Sequence, residues 1–267
     1  MILRKFFNFV RVCLICLFGI LGYTCNAKNC KISKLKKDRT LAFRIEGIEN
    51  IKDLGGYKTS SGKTTKYGSV LICDPAAYLE NDEGHDNLTD SDIIKLKNKF
   101  NLKTIIDLDE EPFISNKKLP KGVKYYNIKL NVLLDEKKYS HWLPKCIWEV
   151  VYGAPSTKAK IKQIFDIIAN SKNGAVLVNA TNNFDKRGLI ATLLLLLKDV
   201  SKSDIEDFFG GCSTYPDSIG DCRLVNTRPY YISAFIDYIE NYYENAENYL
   251  LKCGVSQKNI NKIKNKL

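Results

Sequence analysis

Histidine is nearly absent from this chain: of 267 residues only His85 and His141 carry an imidazole. Beyond residue 27 no two cysteines have C-x-x-C spacing, so a zinc site has no credible donor set, and neither a metal nor a cofactor is expected. Internal repeats and low-complexity linkers are missing too, which argues against a solenoid or a chain of beads. No arginine-rich tract or ladder of aromatics interleaved with basic residues occurs, although the formal charge is +11. Specific nucleic-acid binding is therefore not expected, and single lysines on solvated faces account for most of the charge. The most apolar stretch of the N-terminal region, residues 12–23, is twelve residues long and too short to span a bilayer comfortably.

What is present begins with that stretch. Arg4, Lys5 and Arg11 precede it and small or polar residues follow up to Ala27, the layout of a secretory signal peptide over residues 1–27. A signal anchor and a lipoprotein acylated at Cys25 are the alternatives. Tyr23 and Thr24 match the latter poorly. The expected location is secreted, or at the cell envelope or surface, with membrane association only through charge or an uncleaved anchor. Residues 28–44 form a basic lead-in, and residues 45–267 suffice for one domain with a single large core, given a hydrophobic content of 45%. Six cysteines lie beyond residue 27, an even number that makes disulfides plausible in an exported chain. Cys212 and Cys222, around a loop with Pro216 and Gly220, are the first pair to expect; buried free thiols are the competing reading.

Residues 174–197, GAVLVNATNNFDKRGLIATLLLLL, hold the chain's organising pattern. Residues 175–178 read as a buried strand, 179–186 as a tight polar loop, and 188–197 as a helix apolar on nearly every face. Such a loop is a natural anion site, because the free N–H groups of the helix's first turn and its dipole favour a negative ligand.

The order of residues in this stretch resembles the phosphate loop of the protein tyrosine phosphatase superfamily, in the bacterial-type branch whose loop reads H-C-x-x-G-K-D-R-T-G. Asn179 falls at the His, Ala180 at the nucleophilic Cys, Asn183 and Phe184 at the Gly and Lys, Asp185 at the Asp, Lys186 at the Arg, Arg187 at the Thr and Gly188 at the closing Gly. Only the Asp and the Gly are retained. The family reaction needs a thiolate nucleophile, and alanine has no lone pair. It also needs a planar guanidinium on two phosphate oxygens, which lysine replaces only as a point charge.

The resemblance extends along the chain. Asn50, Asp53, Leu54, Gly55, Gly56 and Tyr57 match an N-F-R-D-L-G-G-Y opening, read here as a structural corner. Asp107 and Leu108 match a D-L-R-S strand end, with Asp109 at the Arg position and Glu110 and Glu111 behind it, carboxylates that would repel a phosphate. Asp107 is a candidate retained acid, weighed against a hydrogen-bonded structural role. Tyr249, Leu250, Gly254, Val255 and Ser256 match the family's C-terminal step.

Local patterns fill in the rest. A hairpin turn is expected at residues 60–63, strands at 70–73, 103–108 and 123–130, and helices from about Thr89 or Asp90, at 158–170, from Ser201 to Phe209, at 229–249 and at 256–267. Asn87 to Thr89 is also an N-glycosylation acceptor, and residues 135–151, with Trp142 and Trp148, read as a lid or insertion.

The fold class implied is α/β, with a central mostly parallel sheet flanked by helices, tyrosine phosphatase-like. The function implied is a secreted, catalytically inactive homologue, a pseudophosphatase, that binds a phosphorylated or anionic ligand or a protein partner. Two readings compete with it. One is an active protein-tyrosine or phosphoinositide phosphatase with Asp185 as nucleophile; the other is a surface scaffold holding anionic partners by charge.

Overall fold

The computed structural model describes residues 51–73, 90–110, 119–130, 153–180, 184–210 and 228–267. All belong to the second of two units into which the chain divides, Thr40–Leu267. The leader, the basic lead-in, the Cys212–Cys222 pair, the Asn87 acceptor and the segment at 135–151 lie outside the described residues.

Five short strands, β1 (Lys52–Asp53), β2 (Val70–Cys73), β3 (Thr104–Asp107), β4 (Lys124–Asn127) and β5 (Val176–Asn179), form one sheet in the order β1-β2-β5-β3-β4. β1 runs antiparallel to β2, and the other three pairs are parallel. Seven described helices flank them: α1 (Asp90–Phe100), α2 (Pro155–Asn170), α3 (Phe184–Leu196), α4 (Lys202–Gly210), α5 (Arg228–Tyr243), α6 (Ala246–Lys252) and α7 (Gln257–Lys266). This is the mostly parallel α/β architecture that the sequence predicts.

The three inner strands are apolar at almost every position because both sheet faces are covered. Val70, Ile72, Ile106, Val176 and Val178 join the larger core with α2, α3 and α5 to α7, whereas Leu71, Cys73, Ile105, Ala175 and Leu177 join a smaller one with Ile93 and Leu96 of α1. The two-residue period of a strand produces this division. β4 lies at the sheet's edge, and its residues are exposed or half-buried.

Two helix boundaries differ from the expectation. α3 begins at Phe184 rather than Gly188, so Gly188 sits inside the helix, where its carbonyl accepts from Thr192 Oγ1 at 2.9 Å. Polarity at Lys186 and Arg187 suggested a loop, but both are buried helical residues. The single aromatic helix expected at 229–249 is two helices. Glu244 has φ 69°, and the Asn245 side chain accepts from Asn248 N at 2.8 Å, which caps a new helix. The break lets Tyr249 meet Tyr243 edge to face with ring centroids 4.9 Å apart.

Ser201 and Ser256 cap α4 and α7 as expected, accepting from Asp204 N and Asn259 N. Cys73 and Cys253 are buried. No helix among the described residues is long and apolar enough to cross a membrane.

The Asp53 to Tyr57 corner is held by its own carboxylate. Gly55 N donates to Asp53 Oδ1 at 2.8 Å and Gly68 N to Oδ2 at 2.7 Å. Burial pushes the Asp53 carboxyl above its ordinary range, opposed by these two N–H groups. Gly56 has φ +83°, and a Cβ on Gly55 would collide with the backbone of Tyr67. Gly55→Ala should therefore destabilise the domain by roughly 1–3 kcal/mol, the range for overpacking at a rigid contact. Urea unfolding of the purified chain measures it, and an unchanged midpoint would show that the Tyr67 segment yields freely.

Candidate functional site

Parallel strands end together, and here the ends of four form one row that includes Asn179 and Asp107, both singled out by sequence. Cys73 of β2 is in register with Asn179 of β5, Asn179 with Asp107 of β3, and Asp107 with Asn127 of β4. This row forms the C-terminal edge of the sheet, where open α/β folds place their ligands.

Asp107 is the hub of the row. It is fully buried, and its carboxylate accepts from Asn179 Nδ2 at 3.2 Å, from Asp109 N at 3.2 Å and from Tyr125 Oη at 2.5 Å. One side chain thus ties β3 to both neighbouring strands. Tyr125 and Asn127 were not singled out by sequence; the alternation in Lys-Tyr-Tyr-Asn was the only signal for them. Asn127 Nδ2 donates to Asp109 O at 2.9 Å. On the other side of the row, Asn179 Oδ1 is buried without a hydrogen-bond partner, and such an acceptor costs about 1–3 kcal/mol.

Ala180 follows β5 directly and is completely buried in the larger core. The sequence resemblance places the family nucleophile here, and the side chain present is a methyl group. Cys73 does not replace it, because that thiol packs on the opposite sheet face with the α1 residues. Cys253, the other described cysteine, follows α6, and burial pushes its thiol up to about 11, away from the thiolate that nucleophilic attack requires. No cluster of three or more metal-ligating side chains occurs among the described residues.

Lys186 and Arg187 lie in the first turn of α3 and turn back onto the strand ends. Lys186 Nζ donates to Leu108 O at 3.4 Å and lies 3.9 Å from Asp109 Oδ1. Arg187 Nη1 donates to Cys73 O at 3.4 Å and also to Ala180 O. Asp109 lies beside the first turn of α3, with Lys186 as its counter-ion. Of the two cations, Lys186 approaches a carboxylate and Arg187 is directed to backbone carbonyls. Residues 181–183 and the side chains of Phe184 and Asp185 lie outside what the structure describes.

This geometry gives Arg187 a backbone-satisfying role with a measurable consequence. In Arg187→Ala, the carbonyl of Ala180 loses its buried side-chain donor, while Cys73 O keeps Ala180 N at 3.4 Å. A loss of roughly 1–3 kcal/mol, the cost of one buried group left unpaired, is expected by urea unfolding, partly recovered in Arg187→Lys. A loss below about 0.5 kcal/mol, the size of an ordinary surface substitution, would show that water replaces the guanidinium.

The comparisons with known proteins address the chain as a whole. Comparison with curated proteins gave no match. The family model described as tyrosine phosphatase family matches residues 43–267, leaving only the first 42 residues outside. With a parallel sheet, a strand-to-helix loop at its C-terminal edge and a match of this extent, the chain belongs to the tyrosine phosphatase family.

Proposed function

We propose that this family member is a catalytically inactive phosphatase homologue, exported by its N-terminal segment and acting as a binding module. The observation that carries the reading is Ala180, a buried methyl group at the position where the family's nucleophilic thiolate attacks phosphorus. Two further features agree with it. Lys186, at the position of the family arginine, directs its ammonium to Leu108 O and Asp109, and the single ammonium offers no planar fork for a phosphoryl group. Asp107, the candidate acid, has both carboxylate oxygens engaged by neighbours and no exposure to solvent. Its role in this reading is to hold three strands in register. A phosphorylated or anionic ligand or a protein partner then takes the place of a substrate, and export rests on the basic-then-apolar layout of residues 1–27.

The test is turnover of p-nitrophenyl phosphate and a phosphotyrosine peptide by the purified chain. No hydrolysis above buffer is expected, and Ala180→Cys alone should not create it, because the bidentate arginine would still be missing. Hydrolysis that follows the protein through purification and vanishes in Asp185→Asn would replace this reading with that of an atypical active phosphatase.

A further inference from the structure

The opposite end of the sheet carries a second feature. A groove of about 830 Å³ lies where β3 and β4 begin and α2 ends, and Lys103, Lys124, Lys162 and Lys172 line it. Asp166 is the one acid among its lining residues, and it is occupied: Lys162 Nζ sits at 2.5 Å and Asn259 Nδ2 donates at 2.8 Å. The ammonium groups of Lys103, Lys124 and Lys172 have no ion-pair partner among the described residues. Four cations against one carboxylate leave an excess of three positive charges converging on one concavity.

The helix running into the groove would ordinarily oppose an anion there, because its C-terminal end carries the negative pole of the dipole. In this chain α7 places two ammonium groups beside that end. Lys266 Nζ donates to Ser171 O at 3.0 Å and Gly174 O at 2.8 Å, and Lys262 Nζ to Asn170 Oδ1 at 2.8 Å. The remaining lining supplies neutral polar groups, among them Gln163, Asn170 and Tyr126. Thr104 and Ser171 share a hydroxyl contact of 2.8 Å.

We infer that this groove binds a small polyhydroxylated ligand carrying two or more phosphate groups. The excess of three charges calls for more than one phosphate, since each carries between one and two negative charges near neutral pH. The volume lies within the range of small-molecule sites and far exceeds what a lone phosphate fills. The amide and hydroxyl lining suits ligand hydroxyls rather than an apolar body. The site is separate from the strand-to-helix loop: Thr104 and Asp107 stand three residues apart on β3, about 10 Å along the strand. It stands whether or not the loop is catalytically dead.

Isothermal titration of the purified chain with inositol hexakisphosphate, pyrophosphate and inorganic phosphate tests this. Co-sedimentation with phosphatidylcholine vesicles containing phosphatidylinositol bisphosphate distinguishes a lipid-borne headgroup from a free ligand. Lys124→Ala/Lys172→Ala, both at exposed positions, should weaken binding at least about tenfold. Lys58→Ala/Lys63→Ala, an equal loss of charge outside the groove, should change it less than about twofold. Soluble probes bound and lost in the groove variant support a free ligand; vesicle binding alone, lost in the same variant, supports a headgroup. Absence of binding in every arm, or equal weakening by both double variants, overturns the proposal.

Discussion

The backbone at the C-terminal edge of the sheet has to be satisfied, and much of the candidate site follows from how this chain does it. Past the strand ends the ladder still gives Cys73 O a donor in Ala180 N and Leu108 O one in Leu130 N, and buried carbonyls with remaining acceptor capacity take further donors from the helix. Arg187 and Lys186 supply donors to Cys73, Ala180 and Leu108 from the first turn of α3. To reach that far, the helix must already be formed at these residues, and it begins at Phe184. The cations in turn require counter-charges, which Asp109 supplies directly to Lys186. What a polarity profile presents as a loop is the polar seam by which a buried helix is fastened to the strands before it.

Asp107 extends the same logic sideways. A fully buried carboxylate is unfavourable unless its oxygens are occupied, and here three donors from Tyr125, Asn179 and the chain at Asp109 occupy them. The hydrogen bonds run across β4, β3 and β5, so the acid specifies the register of the strands on either side of it. Asn179 is the imperfect member, with its amide donating and its carbonyl oxygen unpartnered. At the position of the family histidine, the asparagine keeps the strand-to-strand contact but leaves an unsatisfied acceptor next to Ala180.

The sequence made the strands, the caps and the sheet class legible because each has a local cause. Short apolar runs of two to four residues give β2, β3 and β5, and a serine three residues before its amide partner starts α4 and α7. What was not legible depended on distant partners. Lys186 and Arg187 look solvated until the carbonyls of Cys73 and Leu108, more than seventy residues earlier, are brought beside them. The break at Glu244 was hidden for the opposite reason. Aromatic residues on both sides kept a helical period, and only the capping bond of Asn245 reveals that the chain restarts there. In the site itself, Ala180 and Asp107 were visible from sequence. Tyr125 and Asn127 were not, because a tyrosine and an asparagine on an edge strand have many other uses.

The two ends of the sheet invert the electrostatics that an α/β fold sets up by default. The N-terminus of α3 points its positive pole at the C-terminal edge, the ordinary place for an anion. In this chain the buried carboxylate of Asp107 and the Asp109–Lys186 pair stand there, so the ammonium of Lys186 is already engaged. The C-terminus of α2 points its negative pole at the other end, where an anion is ordinarily disfavoured. There α7 covers the exposed carbonyls with Lys266, and three unmatched lysines surround the groove. Backbone dipoles are fixed by the fold and persist when side chains change, whereas a few charged side chains at each end suffice to offset them. A fold of this kind can thus shift its anion-attracting end without changing a strand, through the placement of a few lysines and carboxylates alone.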